Sequence, residues 1–227
     1  FSVATIWING GSDLDNYGKK GINQILCSLL IRECEGFKNL SLSDYIESHG
    51  AELNYEVLED GISISVKSLN AHFSKLLPLL DLIIDKPILS ENQFDLVKVS
   101  AINSIKKDKE NPFNICFENW RKIVYAKHAY AFNTLGYEKD IYKIVYKDIL
   151  KEYENFKERK KFLISNNNII KGDLIKLVDP TTSSEKKYFS KPSLTKEDRF
   201  VCSQSNLNQT IIMLGNQTCP RKSKEYL

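Results

Sequence analysis

Residues 18–34 read GKKGINQILCSLLIREC, and the rest of the chain is best understood outward from them. Apolar residues stand at Ile22, Ile25, Leu26, Leu29 and Leu30, the 3.6-residue period of an amphipathic helix. Between them Gln24, Cys27 and Ser28 fall at i, i+3 and i+4, so they share a stripe beside the apolar one. On a catalytic helix that spacing carries two metal ligands and a general base. Here it carries an amide, a thiol and a hydroxyl.

The flanking sequence places this helix in an α+β domain. Phe1 to Ile8 is rich in β-branched and aromatic residues and predicts a strand, ended by the turn residues Asn9-Gly10-Gly11-Ser12. The central helix stops near Gly36, and Ser43 caps a short helix, 44–48, closed by Gly50. Leu53 to Leu58 and Ile62 to Leu69 predict a hairpin around Glu59-Asp60-Gly61. Its second strand alternates Ile62, Ile64 and Val66 with Ser63, Ser65 and Lys67, as a sheet with one buried face requires.

Helices then follow. Asn70 caps one carrying Phe73, Leu76, Leu77, Leu80, Ile83 and Ile84, with Pro78 kinking it or marking its true start. Ser90 opens another that runs to about Asp108, with Phe94, Val97, Ala101, Ser104 and Ile105 on its inner face. After Asn111-Pro112 a further helix carries Phe113, Phe117, Trp120 and Val124. Residues 127–136 form an aromatic-rich loop, and Ile141, Ile144, Val145, Ile149 and Phe156 mark a sixth helix. Lys161 to Ser165 predicts a strand, Ile169 to Val178 a helix, Asp179 to Glu197 a polar linker, and Thr210 to Leu214 another strand. The expected division is a main domain over 1–178, a linker over 179–199, and the opening strand region of a second, related domain over 200–227.

Composition narrows the function classes. A net charge of +3 is too small to argue for a nucleic-acid partner, and the basic run Lys157–Lys161 contains Glu158 and reads as a solvated helix end. No apolar run is long enough to insert in a membrane. Five cysteines, an odd count with no C-x-x-C pair, predict free thiols and a cytoplasmic or other reducing compartment. On that argument the sequons at Asn39, Asn208 and Asn216 are accidental. The chain opens in mid-strand and has Met213 as its only methionine, so it reads as a piece of a longer polypeptide. His49, His72 and His128 are expected in surface or capping roles, with none placed near Cys27 to make a nucleophile pair.

The order of strand, G-S loop, helix, hairpin and long helices resembles the peptidase M16 family, which includes insulin-degrading enzyme, pitrilysin and the mitochondrial processing peptidase subunits. Gly11-Ser12-Asp13-Leu14-Asp15 is similar to the family's G-S-x-x-E. Gly21 to Leu29 lies where the family has G-x-A-H-F-L-E-H-M. His49-Gly50-Ala51-Glu52-Leu53-Asn54 is similar to its G-A-x-x-N, and Lys127-His128-Ala129-Tyr130 with Leu135-Gly136 to its H-P-Y…G loop. The resemblance implies a mostly antiparallel sheet with helices packed on one face. It also implies a zinc site of H-x-x-E-H type, completed by a glutamate on a later helix.

Carried over by position, the two histidines fall at Gln24 and Ser28, the base at Cys27, and the later glutamate at about Ser104, with a further family glutamate near Val97. None of the expected metal-binding or catalytic groups is present. The resemblance therefore implies a non-catalytic subunit or half-chain with no cofactor of its own. It would pair with a zinc-bearing half and help enclose a peptide-binding chamber, holding peptide along Asn54, Tyr55 and Glu56 at a sheet edge. Two alternatives remain open at this point: the inert third-quarter domain of a fused, active zinc metalloendopeptidase, and a purely structural core-type subunit.

Overall fold

A computed structural model describes residues 1–37, 41–167, 192, 199–203, 210–219 and 223–224. The chain forms β1 (Ser2–Asn9), α1 (Ile22–Leu30), α2 (Ser41–Ser48), β2 (Glu52–Val57) and β3 (Gly61–Ser68). Then come α3 (Asn70–Leu76), α4 (Leu79–Asp85), α5 (Glu91–Asp108), α6 (Pro112–Tyr125), α7 (Glu138–Ile141), α8 (Tyr146–Lys157) and β4 (Lys161–Ser165). The four strands make one antiparallel sheet in the order β2-β3-β1-β4.

Period-two alternation sorts the two faces of that sheet. Ala4, Ile6 and Ile8 of β1 and Ile62, Ile64 and Val66 of β3 are fully buried. They join Leu26, Leu29 and Leu30 of α1, Phe73 and Leu76 of α3, Val97 of α5 and Phe156 of α8 in one core. Helices therefore cover this face. The residues between them, Val3, Thr5, Trp7, Ser63, Ser65 and Lys67, are half-buried or exposed, and Phe162 and Ile164 of β4 continue the open side. β2 lies at one edge of the sheet, its outer side unpaired among the described residues.

Several expected boundaries move, each for a local reason. The central helix is shorter than Gly18–Cys34, because Gly21 takes φ +96° just before Ile22 and the last turn unwinds at Ile31. The short second helix opens at Ser41, ahead of the expected start. Pro78 divides the third predicted helix into α3 and α4, since it cannot donate to the preceding turn. Asn70 is the first residue of α3, not its cap, and its Oδ1 accepts from Ser2 Oγ at 2.7 Å. The sixth helix is likewise two, α7 and α8; Asp148 accepts from the Val145 N–H at 3.0 Å to start the second. Ser90 and Asn111 cap α5 and α6 as their residue types require, accepting from Gln93 N and Phe113 N.

Two corrections are larger. Residues 210–214 form no strand. An apolar extended run becomes a strand only where another strand pairs with it, and here it lies along α6. Cys116 Sγ donates to Ile211 O at 3.7 Å, Gln217 Nε2 donates to Val124 O at 2.7 Å, and Gly215 sits against Trp120. The run Lys157–Lys161 is also not simply solvated, because Arg159 and Lys161 are buried. The expected helix over 169–178 and, apart from 192 and 199, the linker over 179–199 lie outside the described residues.

All five cysteines are free thiols, and Cys27 and Cys34 are buried. No helix among the described residues is long and apolar enough to cross a membrane.

Candidate functional site

α1 sits between two polar arrangements of different character. On one side its residues meet α5 and β2 at a small cleft lined by Gln24, Ser28, Tyr55, Val97, Ser100, Ala101, Ser104 and Leu135. Three of the four positions that the sequence pattern singled out, Gln24, Ser28 and Ser104, converge here, and so does Val97. The cleft offers about 40 Å³ to the centres of water molecules. That is room for a few waters and too little for a peptide. Gln24 Nε2 donates to the Tyr55 hydroxyl at 3.3 Å, and Ser28 lines the cleft beside the same phenol. Burial raises the Tyr55 pKa, so its phenol stays protonated at neutral pH.

Cys27, the fourth position, is not in the cleft. On a helix it stands 100° around from Ser28, and that rotation turns it into the core, where it is fully buried. Burial pushes its thiol pKa up to about 12, so the nucleophilic thiolate is not available there. No histidine joins it. His49 closes α2, with Nδ1 2.9 Å from Tyr45 O, and packs against His72; His128 caps the turn at Ala129–Ala131.

The predicted peptide-contact residues separate by strand alternation. Tyr55 points to the cleft, while Asn54 and Glu56 are exposed on the open face of β2. Their cross-strand neighbours are Ser65 and Ser63.

A loop holds the cleft's far wall by backbone contact. Gly21 and Gly136 both have positive φ, and a Cβ on Gly136 would lie 2.2 Å from Lys20 O. That close approach docks Leu135 beside the start of α1 and needs glycine at both positions. Beyond the loop a second cavity, about 150 Å³ on the same measure, is lined by Asp108, Asn114, Phe117, Glu118, Arg121 and Asn133. Arg121 is already committed, to Glu59 at 2.5 Å and to the carbonyls of Tyr130 and Phe132.

The other side of α1 holds a buried polar network that the sequence analysis did not assemble, although it named Asp15 in the G-S-x-x-E match. Asp15 accepts from Gly21 N at 2.7 Å, Asn23 N at 3.3 Å and Asn23 Nδ2 at 2.7 Å. Asn23 Oδ1 in turn accepts from Arg159 Nη1 at 3.0 Å, and Arg159 also donates to Gly10 O and to Glu152. Lys20 Nζ donates to Asp15 O at 2.6 Å. Burial pushes the Asp15 carboxyl up to about 6 against the pull of these donors. The network ties the loop after β1, the start of α1, and α8 into one unit. Its sequence signals were polar residues on buried helical faces: Asn23 between Ile22 and Ile25, and Glu152 between Ile149 and Phe156.

The cleft's donor set does not suit zinc, which needs imidazole, thiolate or carboxylate. It offers one carboxamide, hydroxyls and a protonated phenol. Among the described residues no group of three or more His, Cys, Asp or Glu is arranged to hold a metal ion.

Two helices, α1 and α5, and the edge strand β2 thus meet at one small cleft in an α+β domain. The chain belongs to the insulinase family, peptidase family M16, whose sequence model matches residues 1–138. No curated protein matches it by sequence. Among solved structures it is similar to a protease from Helicobacter pylori, with a TM-score of 0.70 and 18% identity over 87% of this chain. It is also similar to the peptidase M16 inactive domain from Pseudomonas fluorescens, with a TM-score of 0.60 and 20% identity over 67% of this chain. The chain spans 46% of the first of those proteins and 37% of the second.

Proposed function

We propose that this chain is a non-catalytic member of the family. It pairs with a zinc-bearing half, as a separate subunit or in one fused polypeptide, and helps form a peptide-binding chamber. The observation that carries the reading is the convergence of Gln24, Ser28 and Ser104 on one cleft with no imidazole or carboxylate among them. Neither an amide nor an unactivated hydroxyl ionises near neutral pH, so these groups give water no general base.

Peptide holding does not need those groups. Among the described residues no strand pairs with the outer edge of β2, and an extended peptide adds to such an edge as a further strand. The exposed acidic residues Glu52 and Glu56 on this edge also protect it from pairing with other copies of the chain. The free cysteines favour a reducing compartment.

Calorimetric titration of the chain with zinc tests the non-catalytic part. The expected result is no stoichiometric uptake that depends on the cleft. Tight one-to-one binding that disappears in Ser104→Ala would overturn it, as would peptide hydrolysis abolished by a chelator. Co-purification of the full-length protein with a chain carrying H-x-x-E-H tests the pairing.

A further inference from the structure

The cleft's neutral lining has its own chemistry. Ser100 and Ser104 are exposed on α5, and neither hydroxyl has a hydrogen-bond partner among the described residues. Gln24 uses its Nε2 on Tyr55 and leaves its Oε1 unpaired. The cleft therefore presents both donors and acceptors, carries no formal charge, and is small. Tyr55 belongs to the edge strand, so a peptide laid along β2 would set one side chain directly beside it, at the mouth of this cleft. The neighbouring peptide side chains would point the other way, beside Glu52, Asn54 and Glu56. Glu52 pairs with Lys67 at 3.5 Å, whereas Glu56 faces Ser63 and makes no ion pair among the described residues.

We propose that the Gln24–Ser28–Tyr55–Ser104 cleft is a specificity pocket for a small uncharged polar side chain. The ligand is an extended peptide docked on β2, with basic residues at the alternate positions beside Glu56. This rests on the peptide-holding reading above and adds its selectivity. A carboxamide or hydroxyl side chain pairs with the free Gln24 carbonyl and the serine hydroxyls that line the cleft. A carboxylate finds no cation in the cleft to replace its lost hydration, and an aromatic ring brings no group to pair with the cleft's amide and hydroxyls.

Fluorescence anisotropy with labelled extended peptides is the test. One peptide alternates Gln with Lys; matched peptides carry Phe or Glu in place of Gln, or Glu in place of Lys. The Gln/Lys peptide is expected to bind roughly tenfold more tightly than each of the others. Ser104→Leu, which fills the mouth from an exposed helix position, should erase the Gln preference and leave the Lys preference in place. Glu56→Lys should do the reverse. Equal binding of all peptides would overturn the pocket and leave peptide holding standing. Absence of binding by every peptide would overturn both. If Glu56→Lys changes self-association and not peptide affinity, the acidic row guards the edge and the charge selectivity is wrong.

Discussion

The two sides of α1 make opposite use of polar residues. On the β2 and α5 side the polar groups are neutral, half open to solvent and loosely connected. On the α8 side they are charged, buried and fully linked: the Arg159 and Glu152 side chains are 3% and 8% exposed, and each has a partner. A charge survives in a protein interior only when it is paired or bound. The α8 cluster supplies its own counter-charges, so it persists without any metal. Imidazoles and carboxylates on the other side would need a cation to hold them together, and none of them is present.

Putting ligands back would break this contrast most sharply. The triple substitution Gln24→His, Ser28→His and Ser104→Glu should create zinc binding of micromolar affinity or better, about −8 kcal/mol, measured by calorimetry. No binding would mean that the three positions share a cleft without sharing a ligand geometry. Cutting the charged side should cost about 3–5 kcal/mol: Arg159→Met leaves Glu152 buried without a counter-charge, visible as a lower midpoint in urea. The double change Arg159→Met with Glu152→Leu should recover much of that loss, because no orphan charge remains.

Acid should sharpen the comparison further. Asp15 titrates at about 6 in the folded chain against 3.8 in the reference state, so its burial costs stability above pH 6. That cost is relieved as pH falls from about 6 toward 4, a gain of up to about 3 kcal/mol. Denaturant melts across this window should show the rise in the native chain and not in Asp15→Asn. The smallest effect belongs to the neutral side. Ser104→Ala should shift stability by no more than about 0.5 kcal/mol, since an exposed hydroxyl without a partner contributes little.

The neutral side was readable from sequence because it departs from a strict pattern. The i, i+3, i+4 stripe located Gln24 and Ser28 without coordinates, and the family resemblance, carried over by position, located Ser104. The exception was Cys27, where stripe spacing hid a rotation large enough to separate cleft from core. The charged side was not readable in the same way. Arg159 stands in a run of lysines and looks solvated until the turn after α8 brings it against Asn23 and Glu152, contacts 136 and 7 residues away in sequence. The segment 210–214 failed differently, because strand character depends on a pairing partner that apolar alternation alone does not supply.

The buried thiols have a practical consequence. Cys202 is exposed and Cys116 and Cys219 are partly so, whereas Cys27 and Cys34 are sealed in the core, with burial pushing their pKa values up to about 12 and about 11. Alkylation should therefore run in two stages, a fast one at the outer three and a slow one set by how often the core opens. The chain carries its own clock for that opening, read by mass spectrometry as the mass each alkylation adds.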